Sequence, residues 1–390
     1  MISRRRRLMT GAARPAATTA LSVALLLSLG GGAAVACAGG VARATPPPAT
    51  TAGNACAGAP YRAFDFWAGR WEVSGRRGRV VGASQITPTL GGCAMEERWR
   101  VAAGLGGRSV NAYDRRDGRW HQFWVDRAAN VLRLSGDAPS AGVMVLASPP
   151  RWAGDSVPPH DRVTWRSLDS GRVRQTWDTS VVAAADDSAR WRTTFDGVYA
   201  PRTDSVVLQP LPSPPTTTSV ASATQPTSSS PRPARCSAPA GPYRALDFLL
   251  GDWDVHVARR DGRVSDVVGR RTVVTDLGDC LTVGADFDAS GTYRGISYAA
   301  YDARSARWIR ESVDDEGRRV VLVGEAPAPG AAVVMLEQRE PTITAAAAME
   351  PITRVVWRAL PDGGAAERWE RSADGGATWR VTRELVLTRR

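Results

Sequence analysis

The chain is written twice. Pro60 to Trp71 reads PYRAFDFWAGRW, and Pro242 to Trp253 reads PYRALDFLLGDW. The correspondence then continues in order. Gly92-Cys93 parallels Asp279-Cys280, Tyr113-Asp114 parallels Tyr301-Asp302, and Trp120 parallels Trp308. Val125-Asp126 parallels Val313-Asp314, Trp165 parallels Trp357, Trp177 parallels Trp369, and Trp191 parallels Trp379. Collinear matches across a whole unit mark a duplicated domain, because each repeat must be one structural unit. The copies are bounded as residues 56–201 and 236–390.

What lies outside the copies has a different composition. Residues 1–36 run from a basic stretch (Arg4 to Arg7) through an apolar one (Ala16 to Leu29) to small residues. That is the order of a secretory signal peptide. Ala34-Val35-Ala36 fits ordinary cleavage, and the following Cys37 also fits a lipoprotein box, so Cys37 is a candidate lipidation site. Residues 37–55 form a short N-terminal tether. Residues 202–235 are rich in Pro, Ser and Thr and hold no aromatic residue. Such a segment cannot bury enough apolar area to offset its ordering entropy, so a disordered linker is expected.

The formal charge of +11 raises the question of nucleic acid. All 50 basic residues are Arg, and beyond the N-terminal run they are scattered among acids. The charge therefore reflects composition rather than a basic face, and no nucleic-acid partner is expected. Of the five Cys, Cys56 and Cys236 precede the two opening motifs, while Cys93 and Cys280 hold matching internal places. The simplest pairing is Cys56 with Cys93 and Cys236 with Cys280, which leaves Cys37 odd. No Cys/His spacing suits a metal, and none is expected.

Each copy alternates short strand-like runs with turns such as Asp117-Gly118 and Asp374-Gly375-Gly376. Met95 to Val101 shows the two-residue period of a strand with one buried face. About ten strands per copy, in meander order, predict an all-β protein of two tandem antiparallel β-barrels; a β-sandwich is the alternative. Each copy has a full strand set and its own cysteine pair, so each is expected to fold alone.

The opening D-F-x-x-G-x-W (Asp65 to Trp71, Asp247 to Trp253), the central G-x-W-x-x-x-x-V-D (Gly118 to Asp126) and a closing G-x-T-W hairpin carry a resemblance. They resemble a bacterial domain of unknown function of the calycin, or lipocalin-like, type. The resemblance covers both copies and implies the barrel fold. It also implies that Trp71 and Trp253 pack across a barrel floor. It carries no established reaction.

Chemistry-bearing residues are few. Ser372 to Trp379 matches an Asp-box, which is a device for building a hairpin. Glu96, Glu97, Asp126, Asp314 and Asp315 are carboxylates on or near strands, and turn capping explains Asp126 and Asp314. No catalytic residue is assigned. His121 could serve as a lone haem ligand, although no cofactor is otherwise indicated. The two copies differ most in aromatic content: copy one holds nine of the 14 Trp. Trp99, Trp124, Trp165 and Trp177, with His121, are the candidate ligand-binding residues. Trp offers a rigid face to planar or apolar molecules at low entropic cost. The expected function is an exported binding module for a small apolar or planar ligand, with Cys37 as its candidate lipid anchor. An envelope hydrolase or isomerase using the copy-one barrel, or a structural protein without ligand, is the alternative. The membrane is expected to be touched only through the N-terminal lipid.

Overall fold

In a computed structural model, the structure describes residues 54–101, 104–148, 160–180, 191–202, 236–238, 241–338 and 351–390. The signal peptide, Cys37, most of both tethers and Trp152 lie outside these residues. Residues 51–390 form one compact unit. Among the described residues no helix is long and apolar enough to cross a membrane.

The first copy has ten strands: β1 (Gly69–Gly75), β2 (Val80–Thr89), β3 (Ala94–Val101), β4 (Gly104–Asp114), β5 (Arg119–Asp126), β6 (Val131–Ser140), β7 (Val143–Ala147), β8 (His160–Ser167), β9 (Val173–Ser180) and β10 (Trp191–Pro201). The second has β11 (Gly251–Val257), β12 (Gly269–Asp276), β13 (Leu281–Asp288), β14 (Tyr293–Asp302), β15 (Arg307–Asp314), β16 (Arg319–Glu325), β17 (Val333–Gln338), β18 (Ile352–Ala359), β19 (Ala365–Ser372) and β20 (Arg380–Arg389). Each set is a closed antiparallel meander, sealed by β1 against β10 and by β11 against β20. Closure leaves no unpaired sheet edge. The sandwich alternative is thereby replaced by two barrels.

The repeat is reproduced contact by contact. Trp71 Nε1 donates to the Trp67 carbonyl at 2.9 Å, and Trp253 Nε1 donates to the Leu249 carbonyl at 2.8 Å. Trp120 Nε1 reaches the Pro60 carbonyl at 3.0 Å, as Trp308 Nε1 reaches that of Pro242 at 2.8 Å. The short helical strap before each first strand thus plugs one end of its barrel. In barrel one the plug is Phe64 and Trp67, both fully buried, with Phe64 stacked on Trp67 at 4.9 Å. Disulfides Cys56–Cys93 and Cys236–Cys280, each with Cα atoms 5.0 Å apart, tie the straps down as the cysteine positions predict.

The two barrels share a core. Ala94, Val110, Phe123 and Val125 of barrel one belong to one buried cluster with Leu281, Val283, Ile296, Tyr298 and Val313 of barrel two. These residues sit on the outer faces of β3–β5 and of the equivalent β13–β15. Identical strands of the two copies therefore meet each other, as in a two-fold dimer fused into one chain.

Candidate functional site

Strand alternation sends every second residue into the barrel. In β3 the inward set is Met95, Glu97 and Trp99. Met95 joins the interior core, while Glu97 Oε1 and Oε2 accept hydrogen bonds from Ser84 Oγ and Ser109 Oγ, both at 3.1 Å. In β5 the inward set is Trp120, Gln122 and Trp124; Gln122 Nε2 donates to Asn111 Oδ1 at 2.8 Å. In β9 it is Val173, Gln175 and Trp177, with Gln175 Oε1 accepting from the Tyr199 hydroxyl. Barrel one is thus layered along its axis.

The floor layer is apolar: Phe64, Trp67, Trp165 and Met144. A polar layer follows, with Glu97, Ser84, Ser109, Asn111, Gln122 and Gln175. At the far end Trp99, Trp124, Trp177 and Phe195 form an aromatic layer of half-buried rings. Trp124 and Trp177 meet edge to face at 5.9 Å, and Trp99 meets Phe195 at 6.3 Å. The rings need room, and glycine supplies it. A Cβ on Gly107 would lie 2.9 Å from the Trp124 indole, and one on Gly106 2.9 Å from that of Trp99. Asp161 belongs to this layer, accepting from Trp177 Nε1 at 2.7 Å and Thr179 Oγ1 at 3.0 Å.

Glu97 is 6% exposed and carries no ion pair among the described residues. Burial pushes its carboxyl up to about 7, against the opposing pull of the two serine hydroxyls. At the floor, Trp165 Nε1 is buried without an acceptor. Its counterpart Trp357 Nε1 donates to Glu367 Oε2 at 2.9 Å.

The registers map one barrel's interior onto the other's. Trp71 pairs with Ser84 as Trp253 pairs with Arg271, and Ile86 pairs with Glu97 as Val273 pairs with Gly284. Asn111 pairs with Gln122 as Ala299 pairs with Arg310, and Trp165 pairs with Gln175 as Trp357 pairs with Glu367. Barrel two replaces Ser84, Gln122 and Gln175 with the ions Arg271, Arg310 and Glu367, and Glu97 and Asn111 with Gly284 and Ala299. Arg271 bridges Asp286 and Glu367, both at 2.6 Å, and the adjacent cations hold the Glu367 carboxyl down at about 2 despite its burial. A cavity of about 30 Å³, lined by Arg271, Ser297, Arg310 and Trp357 among others, remains inside barrel two.

Of the candidate ligand-binding residues, the structure brings Trp99, Trp124, Trp165 and Trp177 into the interior of barrel one. Trp165 lies in the floor and the other three at the far end. His121 is on the opposite face of β5, at the seam between the barrels, with Nε2 2.9 Å from Asp117 Oδ2. Ligand-type atoms of Asp114, Asp117 and His121 lie within 4.8 Å of one another. Asp114, however, is engaged by Arg116 through Nε at 3.1 and 3.2 Å and Nη2 at 2.7 Å, so a cation already occupies it. Sequence reading misses the polar layer, because Ser84, Gln122 and Gln175 carry no signal apart from their strand register. Asp126 and Asp314 cap turns, each Oδ1 accepting two backbone N–H groups. Asp374 braces the last hairpin, accepting from Ser372 and Thr378.

No family model matches the chain, and no curated protein matches it significantly. Among solved structures, a protein of unknown function from the DUF3598 family of Nostoc punctiforme is similar over 85% of this chain and 99% of its own, at 11% identity and a TM-score of 0.23. A double mutant of the vaccine antigen transferrin binding protein B from Haemophilus parasuis is similar over 79% of this chain and 65% of its own, at 9% identity and a TM-score of 0.16.

Proposed function

We propose that the protein is an exported binding module whose first barrel takes a small planar or apolar ligand, with the second barrel as its fused support. The carrying observation is the layer of half-buried rings, Trp99, Trp124, Trp177 and Phe195, at one end of a barrel plugged at the other. Large aromatic faces in a concave, mostly apolar setting with few polar groups are what small-molecule sites are built from. The acceptor-less Trp165 Nε1 adds support, since a buried donor ordinarily finds a partner. Barrel two keeps Trp369 where Trp177 stands but has Asp286 and Ser312 in place of Trp99 and Trp124. Two disulfides suit an oxidising compartment, and the N-terminal segment supplies a route to it. In this reading the mature protein leaves the cytoplasm and is held to a membrane through lipid on Cys37.

The full chain is titrated with two uncharged probes, naphthalene and N-phenyl-1-naphthylamine, following Trp fluorescence. Saturable quenching, lost in Trp99→Ala with Trp124→Ala while the far-UV spectrum is kept, is the expected result. Quenching that survives the double substitution places binding elsewhere and overturns the proposal. Mass spectrometry of the mature protein reads the N-terminus, where an unmodified Cys37 would exclude the lipid anchor.

A second reading rests on Glu97 alone. A carboxyl that titrates near 7 has the property of a general acid or base. It would make barrel one an enzyme and Glu97 its proton carrier, and Glu97→Gln would then abolish turnover without abolishing binding.

A further inference from the structure

Between its floor and its aromatic layer, the described residues of barrel one place carboxyls inside and no cation. From the floor to the aromatic layer, the inward positions of its described strands include Glu97 and Asp161; the Arg in inward register among them, Arg192, stands beyond the rings and is exposed, in a chain with 50 Arg. Arg98, Arg100 and Arg108 alternate outward from β3 and β4, and Arg162 stacks outside on Trp191 at 4.3 Å. Arg192, level with Thr179 in the register, is exposed at the rim above the rings. Glu97 and Asp161 are 6% and 8% exposed, and neither ion-pairs with a cation among the described residues. Barrel two shows what this duplicated frame does when it balances its own charge: Arg271 sits where Ser84 does and neutralises Glu367.

We infer that the ligand of barrel one is an organic cation: an ammonium or similar group carried on an aromatic or apolar body. This rests on the binding reading above and names the chemistry of its ligand. The body lies against Trp99, Trp124 and Trp177, whose faces also attract positive charge. The cationic head sits between Asp161, in the ring layer beside Trp177, and Glu97, one inward residue below Trp99 on β3. Ser84 and Ser109 hold the Glu97 carboxyl in place, so the charge it offers is oriented before the ligand arrives. An anion would meet two carboxyls with no compensating charge and is excluded. Because Glu97 is without a cation in the free protein, a bound one stabilises its ionised form, and binding at neutral pH expels protons. The titratable group facing Glu97 inside the barrel is Tyr199 on β10. Burial raises Tyr199 well above its usual range, and it stays protonated.

The test uses the full chain and three probes of similar shape: phenyltrimethylammonium, its uncharged isostere tert-butylbenzene, and benzoate. The expected order is cation over neutral by at least tenfold, with benzoate undetectable. Glu97→Gln with Asp161→Asn should reduce the cation's advantage to within about twofold while leaving tert-butylbenzene unchanged, which also shows that the barrel is intact. Calorimetry in buffers of different ionisation heat at pH 7 should report release of about half a proton per site for the cation alone. Equal binding of the cation and the neutral isostere overturns this inference and leaves the planar-ligand reading standing. Failure of all three probes to bind removes both.

Discussion

A carboxyl enclosed by ten strands must find a cation or hold its proton, and in the free protein Glu97 does the second. The ordinary value of a Glu carboxyl, 4.5, stands for the unfolded chain, and burial in the barrel raises it to about 7. Below pH 4.5 both states are protonated and the contribution to stability is complete. Between 4.5 and 7 the unfolded chain ionises first, and by pH 8 stability has fallen by about 3 kcal/mol from this group. Glu97→Gln removes that slope. Thermal denaturation should find the variant more stable than the parent at pH 8 by about 2–3 kcal/mol, and close to it at pH 4.5. Parallel profiles for the two proteins would show that Glu97 is not enclosed as described. Arg108 is the opposite case. It is 2% exposed and paired to Glu96 at 2.8 Å and to Asp276 of the other barrel at 2.7 Å, while the Tyr298 hydroxyl also donates to Glu96 at 2.8 Å. Arg108→Ala strands a buried carboxylate and should cost about 3–5 kcal/mol in chemical denaturation. A loss below about 1 kcal/mol, the size of a surface pair, would contradict the seam as drawn.

At the scale of elements, the duplication repeats devices as well as residues. Gly136 on β6 opposes Trp120, and Gly324 on β16 opposes Trp308. A Cβ there would stand 2.0 Å from the Val145 carbonyl oxygen in one copy and 2.2 Å from that of Val334 in the other. Backbone cannot swing aside as a side chain can, so Gly136→Ala and Gly324→Ala should each destabilise by about 1–3 kcal/mol. Wild-type melting temperatures for both would refute the close approach. Much at this scale is legible from sequence. The duplicated motifs, the turn signals and the strand periodicity specify ten strands per copy, and the cysteine positions specify both bridges. The barrel's interior is legible only in part. Trp99 and Trp124 face inward because Arg98, Arg100 and Val125 alternate outward. His121 falls on the outer face by the same alternation. Glu97 sits beside Glu96 in sequence, yet one enters the polar layer and the other the inter-barrel seam. That difference depends on which face of β3 meets a second barrel. No local pattern carries it.

At the scale of the molecule, the two copies are neither independent nor alike. A full strand set and a private disulfide argue that each folds alone, but Phe123, Val125, Ile296 and Tyr298 are buried only because the copies meet. Separated fragments 54–202 and 236–390 should each expose this apolar face, and should recombine when mixed. Sedimentation that finds two non-associating monomers would contradict the shared core. The fused barrels divide the work: one balances its internal charge with Arg271, Asp286 and Glu367, while the other holds Glu97 beneath, and Asp161 within, its layer of aromatic rings, neither ion-paired among the described residues. That asymmetry is the centre of the account, and one measurement reaches it most directly. Crystals of the full chain soaked with 4-bromophenyltrimethylammonium would show the bromine by anomalous scattering. The account predicts a peak inside barrel one against Trp99, Trp124 and Trp177, with the ammonium toward Glu97 and Asp161. A peak inside barrel two, or an empty barrel one beside ligand bound only on the outer surface, would contradict it.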